Sequence, residues 1–177
     1  MIDGEFRIIK LLELSEVREI MSEKKKSMDE DLYLDKRKLG ELFDSSYPLE
    51  INLWRGQKPE DAGAPVLYPI LKSFLLSNGK TRDPDIKTYQ KGGELWINSK
   101  SGGVSLFDKL GVPNKKWFYY KLSAGTRIPN GLYIVKDNYN ARHGSYHFSI
   151  KAGWDMPLTK FLMLLDELAV NLFAEAK

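Results

Sequence analysis

No cysteine occurs anywhere in the 177 residues, and histidine occurs only twice. The first absence excludes disulfides, thiolate catalysis and cysteine-ligated zinc, and leaves the chain indifferent to the redox state of its compartment. Also missing is any apolar run near the ~20 residues that a membrane span needs. The N-terminus carries Asp3 and Glu5 where a secretory leader would carry basic residues ahead of an apolar stretch, so neither a span nor a Sec-type leader is expected. His143 and His147 stand four apart, but in a segment that alternates like a strand. They do not converge on a metal as two residues on one helix face would, and no zinc site is expected. Internal repeats and low-complexity segments are lacking too.

What the chain does have is 42% apolar and 12% aromatic residues, enough at this length to bury a full core in one domain with an appendage. The formal net charge of +3 conceals an asymmetry. Residues 1–47 hold 9 Lys/Arg against 12 Asp/Glu, while residues 48–177 hold 18 against 12. The change of sign divides the chain into an acidic N-terminal extension, 1–47, and a basic body, 48–177. In the extension Phe6, Ile9, Leu12, Val17 and Ile20 approximate helical spacing, and Asp35 begins a second, shorter helical pattern through Leu39, Leu42 and Phe43 that Pro48 ends. An amphipathic helix of this length is marginal alone in water. The extension is therefore expected to dock on the body and either restrain the site or serve as a delivery or partner-binding handle, the alternative being a loosely attached helical tail.

The body opens with a strand pattern over residues 49–55 that places Ile51, Leu53 and Arg55 on one face and Asn52 and Trp54 on the other, with Gly56 as its stop. Residues 57–83 are rich in Pro and Gly and read as a loop-rich crossover in which only 67–76 can make a helix. Short strands are predicted over 86–89, 94–97, 117–122, 132–135 and 146–150, separated by Gly and Pro-Asn-Gly turns. A closing amphipathic helix is predicted over 156–174, with Pro157 in its first turn. The pattern gives an α+β domain with a curved, mainly antiparallel sheet.

Four features suggest chemistry. Gly102-Gly103 runs into Val104-Ser105-Leu106-Phe107-Asp108, where the glycines permit positive φ and close backbone approach, and Ser105 with Asp108 has capping-box spacing. Read as a helix start, this makes an anion site for phosphate or pyrophosphate, or else an ordinary cap. Arg55, at a strand end, suits a bidentate phosphate contact or a rim ion pair. In Tyr146-His147-Phe148-Ser149-Ile150 the apolar residues alternate onto one face, leaving His147 and Ser149 toward a cleft or solvent. The run 137–142 is polar and turn-rich, with Tyr139 available for stacking. A further reading comes from Lys115-Lys116-Trp117-Phe118-Tyr119-Tyr120-Lys121, whose interleaved aromatics and lysines suit nucleic acid in a non-enzymatic toxin or regulator, or simply a half-buried strand.

The order Leu53-Trp54-Arg55, Asp85-Ile86, Gly102-Gly103-Val104-Ser105-Leu106-Phe107-Asp108-Lys109 with Gly111-Val112, Ile128-Pro129, Asp137, Tyr139-Asn140, Arg142, His147 and Ile150 resembles the small NAD-dependent type VI secretion effector toxins, whose fold is similar to that of the ADP-ribosyltransferase toxins. The resemblance covers about residues 47–177. It implies an NAD-dependent cytotoxic effector, an ADP-ribosyltransferase or NAD glycohydrolase acting in the target-cell cytoplasm. It further implies a cognate immunity protein and a secretion-apparatus partner, with no membrane or nucleic-acid partner. By position it assigns Arg55, Ser105 and His147 to the reaction, and Arg55, Gly102, Gly103, Ser105, Phe107, Tyr139 and Arg142 to NAD. Val104 departs from the Thr-Ser pair of that family. No glutamate sits on the last strand, and Asp108, Asp155 and Glu167 are the substitutes, each with a simpler capping or surface role.

Overall fold

The computed structural model describes residues 42–61 and 63–174. The helical reading of residues 6–20 and the start of the second helical pattern lie outside the described residues. Seven strands form one antiparallel sheet in the order β1-β9-β10-β7-β2-β8-β11: β1 (Leu42–Phe43), β2 (Leu53–Gln57), β7 (Val104–Phe107), β8 (Phe118–Leu122), β9 (Leu132–Asn140), β10 (Ser145–Ala152) and β11 (Leu172–Ala174). Two small hairpins accompany it: β3 (Phe74–Leu75) with β4 (Thr81–Arg82), and β5 (Thr88–Lys91) with β6 (Glu94–Ile97). The helix α1 (Leu158–Ala169) buries Phe161, Leu165, Leu168 and Ala169 in the same apolar cluster as Leu106, Leu122, Ile134, Phe148 and Ile150. Those core residues recur at period 3 to 4 on the helix and at period 2 on the strands, which sets one apolar face of each against the other.

Five sequence expectations are corrected. Residues 104–107 are a strand, not a helix start, because Val104 and Leu106 alternate with Ser105 and Phe107 and pair with Ile150 and Phe148 of β10. Leu42–Phe43 is likewise a strand, paired with Val135 and Ile134. No helix forms over 67–76, where the chain runs irregularly into β3. The closing helix stops at Ala169, and Leu172–Ala174 returns as a strand against Leu122, Lys121 and Tyr120. Finally, Gly56 does not end β2. It pairs with Tyr119 inside the strand, and a Cβ there would stand 3.0 Å from both the Trp117 and Tyr119 rings.

The sheet opens at one place. β7 is paired with β10 over four residues but with β2 at only one pair, Trp54 with Phe107. Beyond that pair the two strands part, and the segment joining β2 to β7 encloses the gap.

Candidate functional site

The gap is a cavity of about 810 Å³ lined by Arg55, Gln57, Tyr68, Ser105, Phe107 and Trp117, among others, within the range of small-molecule sites. Each wall has a local cause. Gln57, buried at the end of β2, accepts from the Val66 amide at 2.8 Å and donates to the Asp61 carbonyl at 3.0 Å. The Tyr120 hydroxyl donates to the Gly63 carbonyl at 2.6 Å. Together they tie the loop after β2 back onto the sheet. Asp85 holds the next stretch, accepting from the Ile70 amide at 2.8 Å and from Arg82 at 2.9 Å.

Gly102 and Gly103 serve this same packing. A Cβ on Gly102 would overlap the Asp85 carbonyl oxygen, and one on Gly103 would sit 2.5 Å from that of Ile150. The need for glycine is therefore close backbone approach, and neither residue is among those with positive φ. The helix-terminus anion site expected at Ser105 is absent because no helix begins there.

Arg55 is the charged group that β2 itself brings to the split. By alternation from Trp54 it belongs to the face of Leu53, which is fully buried. Where an adjacent strand would have supplied a ladder donor, Arg55 Nη1 donates to the Ser105 carbonyl at 3.1 Å, while Nη2 reaches the Tyr68 carbonyl at 3.5 Å. Its Nε is buried and has no hydrogen-bond partner among the described residues. Burial lowers the pKa of this guanidinium, Asp85 and Asp61 work against the shift, and Arg82 adds to it. The group stays cationic at any physiological pH.

His147 stands on β10 directly opposite Phe107, with the two rings edge to face at 5.2 Å. It does not itself line the cavity; Phe107 lies between. As expected from alternation, His147 and Ser149 share a face opposite Phe148 and Ile150, and Ser149 pairs with Ser105 across the β7 ladder. Phe107, Ser105 and Arg55 are thus brought together, with His147 one ring away. Tyr139 and Arg142 are not. Both are exposed at the β9–β10 hairpin end, where Tyr139 packs on Tyr146 at 4.9 Å. The run 137–142 is also more regular than expected, since β9 continues to Asn140 before a turn over 141–144.

None of the three acidic substitutes reaches the cavity. Asp108 accepts from Ser145 Oγ and the Tyr146 amide, both at 2.8 Å. Asp155 accepts from Ser99 and Tyr89, and the Ser99 amide bond leads the interactions that lower its pKa. Glu167 is exposed on α1 and lines a separate surface hollow. The carboxylates that do line the cavity are Asp61 and Asp85. Asp85 was visible only as part of a family pattern, Trp117 only as one aromatic of the 115–121 run read for nucleic acid, and Gln57 in no motif at all; the one usable signal was that Gln57 repeats the alternation of Arg55.

The family model described as Tse2 ADP-ribosyltransferase toxin matches residues 30–177, beginning well before residue 47. Among curated proteins, "Toxin Tse2" of Pseudomonas aeruginosa is 31% identical over 108 residues, which is 61% of this chain. That match spans 66% of the relative's length, just under two thirds.

Proposed function

Because the chain belongs to the Tse2 ADP-ribosyltransferase toxin family, we propose that it is an NAD-dependent cytotoxic effector, with the dinucleotide seated in the cavity between β2 and β7 and its phosphates on Arg55. The observation that carries this reading is the buried, unpartnered Nε of Arg55 at the wall of a cavity of suitable size. A buried donor left unsatisfied costs free energy, and the guanidinium that carries it belongs to the cavity wall, where an anion can pair with its charge. Lys58 and Arg82 add positive charge to the same lining.

NAD supplies a nicotinamide–ribose bond whose cleavage leaves an oxocarbenium-like ribose, captured by water or by an acceptor side chain. The chain's own residues contribute positioning and electrostatics. Phe107, Trp117 and Tyr68 offer ring faces along the cavity. Ser105 lines the same cavity as Arg55, and His147, behind Phe107, supplies the site's imidazole, a group that can give or take a proton. Action in the target-cell cytoplasm, a cognate immunity protein and carriage by a secretion apparatus belong to the same proposal.

Nucleic-acid binding through residues 115–121 gains no support. Tyr119 and Tyr120 are buried in β8 and Trp117 lines the cavity, so Phe118 is left as the exposed aromatic of that run, too little for a stacking platform.

The test is nicotinamide release from NAD by the purified full-length chain, with and without a bacterial lysate as acceptor source. Release by the wild type and its loss in Arg55→Ala support the proposal. A folded wild type that neither binds NAD nor releases nicotinamide at millimolar NAD contradicts it.

A further inference from the structure

The β9–β10 ladder contains one irregularity, and it lies beside His147. His147 faces Asn138, yet the next residue, Phe148, faces Lys136, so Asp137 is the extra residue of a bulge. Bulges of this kind re-aim a side chain. Here the re-aimed carboxylate meets two donors of β10: Asp137 Oδ2 lies 2.9 Å from His147 Nδ1 and accepts from Ser149 Oγ at 2.5 Å. Without the slip, Asp137 would fall into the ordinary alternation between Lys136 and Asn138. With it, one oxygen collects both bonds.

We propose that Asp137 is a positioning residue for His147, fixing its ring orientation and its Nδ1–H tautomer so that Nε2 is left bare as a proton acceptor one ring behind the NAD cavity. The proposal rests on the reading of the cavity as the NAD site. Burial alone would raise the Asp137 pKa, but the hydrogen bonds from His147 and Ser149, with the charges of His147 and Lys151, outweigh it and leave the pKa lowered. Tyr133, whose own pKa is raised first by burial and then by Asp137, is the other titratable group coupled to this carboxylate. An ionised carboxylate only accepts hydrogen bonds, so the proton of the shared bond belongs to Nδ1. Ser149 cannot serve as a nucleophile activated by this histidine, because it donates to the same oxygen and not to the ring. Phe107, edge-on to the imidazole at 5.2 Å, stands between this pair and the cavity that it lines. Second partners of this type commonly set which ring nitrogen is protonated.

Nitrogen-15 spectra of the full-length protein, recorded where the imidazole shifts no longer move with pH, read the tautomer directly. The wild type is expected to show Nδ1 protonated and Nε2 bare, and Asp137→Asn to lose that preference and at least about tenfold in NAD turnover. A wild-type ring protonated on Nε2 overturns the proposal without recourse to any variant. It is overturned equally if folded Asp137→Asn keeps both tautomer and turnover while His147→Ala loses turnover. Turnover unchanged in His147→Ala overturns this proposal together with the role given to His147 in the reaction, whereas the test of Arg55 is untouched by either result.

Discussion

The two sides of β7 invite comparison. Toward β10 the strand is zipped over four pairs, its apolar residues 104 and 106 meeting Ile150 and Phe148 in the core. Toward β2 it is joined at a single pair and then parts, and the ladder bond at Ser105 is replaced by the side chain of Arg55. One side is closed by backbone and apolar contact. The other is held open by a guanidinium with a donor to spare. The contrast teaches that a charged residue on the core face of β2 is tolerated because the sheet splits beside it, and that the split is what makes room for a ligand.

Breaking the zipped side should have the largest effect. Phe148 is 1% exposed, and Phe148→Ala is expected to lower unfolding free energy by about 3–5 kcal/mol in urea titration. Gly103→Ala follows, since its new methyl would press on the Ile150 carbonyl; a loss of about 1–3 kcal/mol is expected by the same measurement. On the open side, Arg55→Ala should weaken NAD binding by roughly 1–3 kcal/mol in calorimetry while costing less stability than either core change. Ser105→Ala sharpens the comparison, because a strand serine that caps no helix should change thermal stability by less than about 0.5 kcal/mol even as NAD turnover falls.

The smallest effect concerns pH. Asp137 has a folded pKa below its ordinary 3.8, so its stabilising contribution is present above that value and is lost as pH falls through the folded one. Acid unfolding below about pH 4 should therefore be less steep in Asp137→Asn than in the wild type, monitored by circular dichroism.

Much of this was legible in the sequence, for identifiable reasons. Period-2 patterning placed β6 and most of β8 and β10, and it put His147 and Ser149 on the correct face. The error at Ser105 arose because Gly-Gly followed by Ser-x-x-Asp fits a helix cap as well as it fits a strand entered through closely packed glycines; only the pairing with β10 decides between them. The strand at 172–174 was hidden by an apolar stripe that continues helical spacing past Ala169. Arg55 was found by its strand, but not its burial, since the split between β2 and β7 is a long-range event. The bulge that turns Asp137 toward His147 leaves no local signature, as it exists only in the register between two strands.

Calorimetric titration of NAD into the wild type and into Arg55→Lys, each with its unfolding curve, tests the central claim most directly. Lysine keeps the charge but lacks the guanidinium fork. One-to-one NAD binding by the wild type and a loss of at least about tenfold in affinity by a folded Arg55→Lys is the expected result. Equal affinity in the two folded proteins, or no binding by either, contradicts the assignment of the open side of β7 as the dinucleotide site.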